Sequence, residues 1–389
     1  MKTAAFMAIV AVALGVAGAG AAGRFRPVAP NYVVLRVPAR VTNDPLAVFE
    51  QQQRNAPQSQ QIASSLAALY VERARNERQQ RYFGRAELLL QPWVERPEAS
   101  AETLRVQADI LQNRHDFTAS LRLLDRAVTR DPRDAGIRLM RASVTLVQGR
   151  AADARADCAS VLASGATAAG TVCLAQTLGA TGRLDQATTL LQTLLSSSQG
   201  GGSASMPPPI RGWALGLMAD FADRRGEPHA SEEFLRAALA ATPTNEGVRS
   251  ALADALLARG AARDALSLLN VPSPSVGLLT RRARAQQLVQ DPSLTITRTQ
   301  IEDLLTLATR RGERPHLREE ALLALEVEHD AGRALELAKA NFELQRETID
   351  ARLLVRAARS RGDAGAVNEV ARWLRATGFE DHELAGLRT

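Results

Sequence analysis

The sequence predicts an all-α chain, a solenoid of about nine antiparallel helix pairs with a period of ~34 residues. Three observations predict it. Alanine, leucine and arginine, the strongest helix formers, dominate, while aromatic residues are only 4% of the chain, too few for a β-sandwich or barrel. Small residues recur in step along the chain. Turn-forming residues fall between them in the same phase.

The period is carried by three series. Ala74, Ala108, Ala142, Ala175, Ala219 and Ala253 are separated by 34, 34, 33, 44 and 34 residues. Ala86, Ser120, Ala154, Ala187, Ser231 and Ala265 repeat the same intervals, and so do Leu90, Leu124, Cys158, Leu191, Leu235 and Leu269. Small residues let the first helix of a unit approach its second closely. Larger ones such as Leu104, Leu111, Phe117 and Leu124 fill the space between units. One unit cannot bury its apolar face alone, so stacking is obligatory.

The long interval has a visible cause. It contains SSSQGGGSASMPPP at 196–209, flexible glycine and serine followed by prolines, which reads as an insertion between two repeats. Glycines at 149, 182, 226, 260 and 362 mark turns inside units, and Asp291-Pro292-Ser293 and His329-Asp330-Ala331-Gly332 supply the two missing from that series. Pro132 and Pro243 stop second helices. Repeats 1–4 are expected over 67–211 and repeats 5–9 over 212–381, with a short tail over 382–389.

The N-terminus reads as an export signal. Lys2 precedes an apolar run from Ala4 to Val16, then Ala-Gly-Ala sites up to Gly23, so 1–23 is expected to be a signal peptide, with an uncleaved anchor as the alternative. No cysteine lies near that site, which argues against lipoprotein processing, and no later segment is apolar enough to span a bilayer. The expected location is periplasmic or secreted. Residues 24–66 are read as an extended segment and linker, the glutamine-rich QQQRN and PQSQQ stretches being either helix or linker. NYVVLRVPAR at 31–40 is strand-like in composition and is either a lead-in, a tail or a strand offered to a partner's sheet.

Thr103–Pro132, TLRVQADILQNRHDFTASLRLLDRAVTRDP, resembles the tetratricopeptide repeat in its helix–turn–helix length, its small residues and its closing proline. From the exported N-terminus through RYFGRAELLLQPW to the terminal ARWLRATGFED, the arrangement also resembles exported tetratricopeptide proteins of proteobacteria. The resemblance implies a right-handed superhelix whose first helices line a concave groove. On that basis Arg105, Asp109 and Gln112, then Trp213, Gly216 and Asp220, then Arg352, Arg356 and Arg359 are candidate groove residues. The last three share one helix face at i, i+4, i+7 spacing, and arginine forks suit carboxylates or phosphates. A solvated basic face is the alternative. The family's chaperone-binding carboxylate clamp is not reproduced.

Little else points to chemistry. Cys158 and Cys173 lie seven or eight residues either side of Gly165, at similar height on adjacent antiparallel helices. They are either a structural disulfide of an oxidising compartment or two buried thiols. The five histidines (His115, His229, His316, His329, His382) form no metal-ligand spacing, and no nucleophile-elbow or phosphate-loop motif is present. The formal charge of +6 is almost all arginine, the only lysines being Lys2 and Lys339, and it is interleaved with acids rather than blocked. No enzyme activity, cofactor, metal or nucleic acid is expected. The expected function is a periplasmic protein–protein interaction scaffold that holds a peptide or partner helix, as an accessory subunit of an envelope complex. The rival is arginine-mediated binding of an anionic polymer or membrane surface.

Overall fold

The computed structural model describes residues 44–77, 79–197, 206–272, 274–310 and 316–388. The expected signal peptide, the strand-like stretch at 31–40 and most of the 196–209 insertion lie outside these residues. Among the described residues there are nineteen α-helices, one 3-10 turn and no strand. In order they are α1 (Pro45–Asn55), α2 (Gln60–Glu77), α3 (Arg81–Val94), α4 (Ala101–Asn113), α5 (Phe117–Arg130), α6 (Ala135–Val147), α7 (Ala151–Ala163), α8 (Thr167–Gly179), α9 (Leu184–Ser197) and α10 (Pro208–Arg224). Then follow α11 (Pro228–Ala241), α12 (Glu246–Ala258), α13 (Ala262–Leu269), α14 (Val276–Leu288), α15 (Leu294–Arg310), α16 (Leu317–Glu326), α17 (Ala331–Leu344), α18 (Thr348–Arg361) and α19 (Ala364–Thr377).

From α2 onward each even-numbered helix packs against the odd-numbered helix that follows it. The periodic residues explain why. Every member of the two small-residue series is buried, and so is every member of the large series. The contact is direct in one unit, where the Ser120 hydroxyl of α5 donates to the Ala108 carbonyl of α4 at 2.9 Å. A larger residue at either position would push the two helices apart. First helices also touch their successors, α2 with α4, α4 with α6, α6 with α8, α8 with α10, and again from α12 to α18, whereas second helices make no comparable contact. The stack of Pro45–Thr389 therefore curves with its first helices inside.

Turns within units share one backbone device. His115, Gly149, Gly182, Gly226, Gly260, Gln290, His329 and Gly362 all have φ between 56° and 82°, the left-handed region. Glycine adopts it freely. Three units use His or Gln instead, which is why a glycine search finds only part of the series. The side chain that follows often caps the next helix: Asp116 accepts from the Ala119 N–H, Asp330 from Arg333, Asp363 from Ala366. Each such cap contributes about 1 kcal/mol.

Three boundaries differ from the sequence reading. Residues 45–55 and 60–66, read as helix or linker ahead of the first repeat, are helical, with Leu46, Ala63 and Leu66 buried. The insertion is shorter than 196–209. Ser196 and Ser197 end α9, and Pro208 and Pro209 open α10, since proline is tolerated in a first turn where its missing N–H has no partner to lose. The expected C-terminal tail is not free, because Asp381 and Leu384 are buried and a 3-10 turn follows at Ala385–Leu387.

Candidate functional site

The first helices carry the expected polar residues, and most of them are engaged with neighbours. On α4, Arg105 forks onto Glu102 at 2.7 and 2.8 Å, and buried Asp109 pairs with Arg75 of α2. Gln112 is half-buried one turn further on. Arg138 and Arg141 of α6 share buried Asp157 of α7 at 2.8 and 2.7 Å. From α12 onward the pairing runs laterally: Asp254 holds Arg281 and Arg284 of α14, Arg284 reaches Glu326 of α16, and Glu326 holds Arg356 of α18 at 2.6 Å. Four successive units are tied by one chain of charges. Arg281 and Arg284 are largely buried in this chain and only Arg356 is exposed, so the pairs fix the register between units more than they add stability.

The candidate residues are thus spread along the stack rather than gathered at one spot. Trp213 is half-buried, packed on the core around α8–α12 and on the cluster that contains Cys158 and Cys173. The two cysteines are disulfide-bonded, with Cα atoms 5.3 Å apart, linking α7 to α8. Gly216 is half-buried and Arg359 exposed. Arg352, Arg356 and Arg359 do not act as one cluster. Arg356 belongs to the lateral chain, and Arg352 points elsewhere.

Arg352 and Asp220 are brought together by a contact that sequence reasoning missed. The last two helices and the residues after them lie along the turn edge of α6–α11, more than a hundred positions earlier. The Arg346 N–H donates to the Val147 carbonyl at 2.8 Å, and the His382 N–H to the Arg224 carbonyl at 2.9 Å. The Thr348 hydroxyl donates to Asp220 at 2.9 Å. Arg352 donates to Asp223 of α10 at 2.7 Å while also holding Asp381 and Glu383. Burial holds the Asp223 carboxyl above the usual carboxylate range despite the pull of Arg352. A Cβ on Gly182 would fall 2.7 Å from the Gly378 carbonyl oxygen, so the two backbones touch there. Trp373 packs between Phe342 and Phe379 with its indole beside Gly149.

The seam continues toward α4. The His115 ring stands edge-on to His316 with centroids 5.9 Å apart, and edge-on to Phe117 at 5.7 Å. Burial, then the nearby His316, lowers the His115 pKa to about 4. Beside it Arg318 is locked to Asp350 at 2.7 Å and to Glu347 at 2.6 Å, with Asn341 donating to the same Asp350. No periodic signal marks these pairs. The cue available in sequence was the run Phe379-Glu380-Asp381 directly after the last helix, an aromatic and two acids where a tail should be bland.

Among the described residues no three His, Cys, Asp or Glu side chains converge to hold a metal ion. No helix of the described residues is long and apolar enough to cross a membrane.

No family model matches the chain, and no curated protein matches it. Solved structures do. A thermophilic tetratricopeptide repeat protein of Thermus thermophilus is 19% identical with a TM-score of 0.37, covering 53% of this chain and 99% of that one. A tetratricopeptide repeat protein of Parabacteroides merdae is 12% identical with a TM-score of 0.36, over 76% of this chain and 98% of that one. The human IFIT1 dimer with PPP-AAAA is 15% identical with a TM-score of 0.47, over 85% of this chain and 77% of that one.

Proposed function

We propose that this chain is an exported helical-repeat scaffold that binds protein partners in the cell envelope. The observation that carries the reading is the row of first helices, in contact from α2 to α10 and again from α12 to α18. Stacked hairpins present an extended surface, which suits a peptide or a partner helix better than a small molecule. Arg105, Asp109, Gln112, Trp213, Asp220, Arg356 and Arg359 are its candidate contacts. The Cys158–Cys173 bridge suits an oxidising compartment, which supports export by the 1–23 segment. The concrete version is an accessory subunit of an envelope complex.

The test is a crosslinked pull-down of the tagged chain from cell envelopes at low and high salt, read by mass spectrometry. The reading expects one reproducible protein partner that survives high salt and is lost when Trp213 and Gln112 are changed to alanine. Recovery of salt-labile anionic material alone would replace it with the arginine-mediated surface binder.

A further inference from the structure

The segment Gly378–His382 is held like a docked peptide. Gly378, with φ 72°, turns the chain out of α19. The next residues reach α8–α11, roughly 150 to 200 positions earlier in sequence, while Phe379 keeps its packing on Trp373 and Asp381 its pairing with Arg352. Arg224 of α10 is the centre of the seat. Its side chain is only 2% exposed. It donates to the Gly179 carbonyl at 2.6 Å, to the Glu380 carbonyl at 2.8 Å and to Asp220 at 3.2 Å. The Phe379 ring lies 3.8 Å from its guanidinium carbon, a stacked cation–π contact. The Glu380 carboxylate sits 3.5 Å from the Leu184 N–H at the positive end of α9. The His382 N–H closes the register on the Arg224 carbonyl at 2.9 Å, and its ring covers Gly226.

A terminal cap needs only to cover the outer face of its own last helix. This segment does more. It makes one backbone–backbone hydrogen bond, accepts a second from the Arg224 guanidinium at the Glu380 carbonyl, places one aromatic side chain on that guanidinium, and offers an acid to a helix N-terminus, all from five consecutive residues. Those are the recognition elements of an extended peptide ligand. The seat belongs to one part of the chain and the ligand to another. The contact between them runs through the guanidinium of Arg224, two hydrogen bonds and one aromatic ring, whereas the packing within units is alanine and leucine.

We infer that the turn edge of α8–α11, centred on Arg224, is a peptide-docking site that the chain's own Phe379-Glu380-Asp381 segment occupies, and that a protein partner carrying an aromatic residue followed by acidic residues takes it by displacing that segment. The inference rests on the scaffold reading for its partner, but the site stands on the chain's own contacts. It puts regulated docking on the edge of the stack, outside the inner wall.

The test uses the full chain and a fluorescein-labelled peptide of residues 376–387, ATGFEDHELAGL, followed by anisotropy. A Phe379→Ala, Glu380→Arg chain frees the seat. It binds the peptide at least tenfold more tightly than the unaltered chain does, and a peptide with alanine in place of the phenylalanine is not bound. A folded variant, helical and cooperative on melting, that binds no better than the unaltered chain overturns the inference. So does equal binding of a scrambled peptide. A second measurement needs no variant: a large excess of unlabelled peptide on the unaltered chain exposes the His382 amide to hydrogen exchange. An amide that stays protected at saturating peptide also overturns it. A chain that binds the peptide but captures no envelope protein keeps the docking site and loses the scaffold reading. The reverse result does the opposite.

Discussion

The interior of a helix pair and the seam between distant pairs are held by opposite means. Within a pair, Ala108, Ser120 and Leu124 are fully buried and meet partners a dozen or so residues away. Across the seam, Arg224, Arg352, Thr348 and the His382 amide meet partners more than a hundred residues away, through hydrogen bonds and ion pairs. Apolar packing does not depend on salt, and its cost when damaged scales with the cavity left behind. Polar contacts exchange with water and contribute little net free energy each. The difference predicts that the stack and its closure are separable, the closure opening while the stack persists.

The first way to break that comparison is to damage the interior. Leu124→Ala removes a fully buried side chain and should cost about 2–5 kcal/mol, read as a fall in the denaturant midpoint. A loss under about 1 kcal/mol would mean that the pairs are not held by this packing. Next comes the Cys158–Cys173 bridge, which closes a loop of 15 residues inside one local hairpin. Replacing both cysteines with alanine should cost about 3 kcal/mol while leaving the seam closed.

The third test compares two glycines directly. Gly182 and Gly260 both have left-handed backbone, with φ of 72° and 82°. A Cβ at Gly260 meets open space, whereas one at Gly182 runs into Gly378. Gly260→Ala should cost about 1–2 kcal/mol from the backbone alone. Gly182→Ala should cost a further 1–3 kcal/mol, roughly, for the overlap. Equal losses would mean that the seam gives way without resistance.

The smallest effect is that of pH. The His115 pKa is near 4 in the folded chain and near 6.5 when unfolded. Between those values the unfolded chain takes up a proton that the folded chain refuses, so the stability present above about pH 6.5 is lost as pH falls toward 4. Partial exposure of the ring reduces the loss to about 1–2 kcal/mol. His115→Asn tolerates the left-handed backbone and should flatten this part of the stability profile. An unchanged slope would place the titrating group elsewhere.

These two regions were not equally legible in sequence. The stack could be read because burial of small residues repeats every turn of the solenoid, and three series with one shared outlier leave little freedom. The seam could not, because its pairs, such as Thr348 with Asp220 or Arg352 with Asp223, occur once and have no period. Arg352 looked like a groove arginine because its helix position matched Arg105. Only the fold shows that Asp223, Asp381 and Glu383 converge on it. The turns were legible, five by glycine and two by Asp291-Pro292-Ser293 and His329–Gly332, but the left-handed backbone at His115, Gln290 and His329 was not.

Two amides test the closure most directly. The Arg346 and His382 N–H groups lie outside the helices, and each donates across the seam, to Val147 and to Arg224. Native-state hydrogen exchange by NMR reads both. A closed seam predicts that they are protected well above unstructured amides and that Asp223→Asn releases them together, while the amides of α4 and α5 stay protected. Exchange at the rate of unstructured peptide in the unaltered chain would contradict the closure and, with it, the self-occupied docking site.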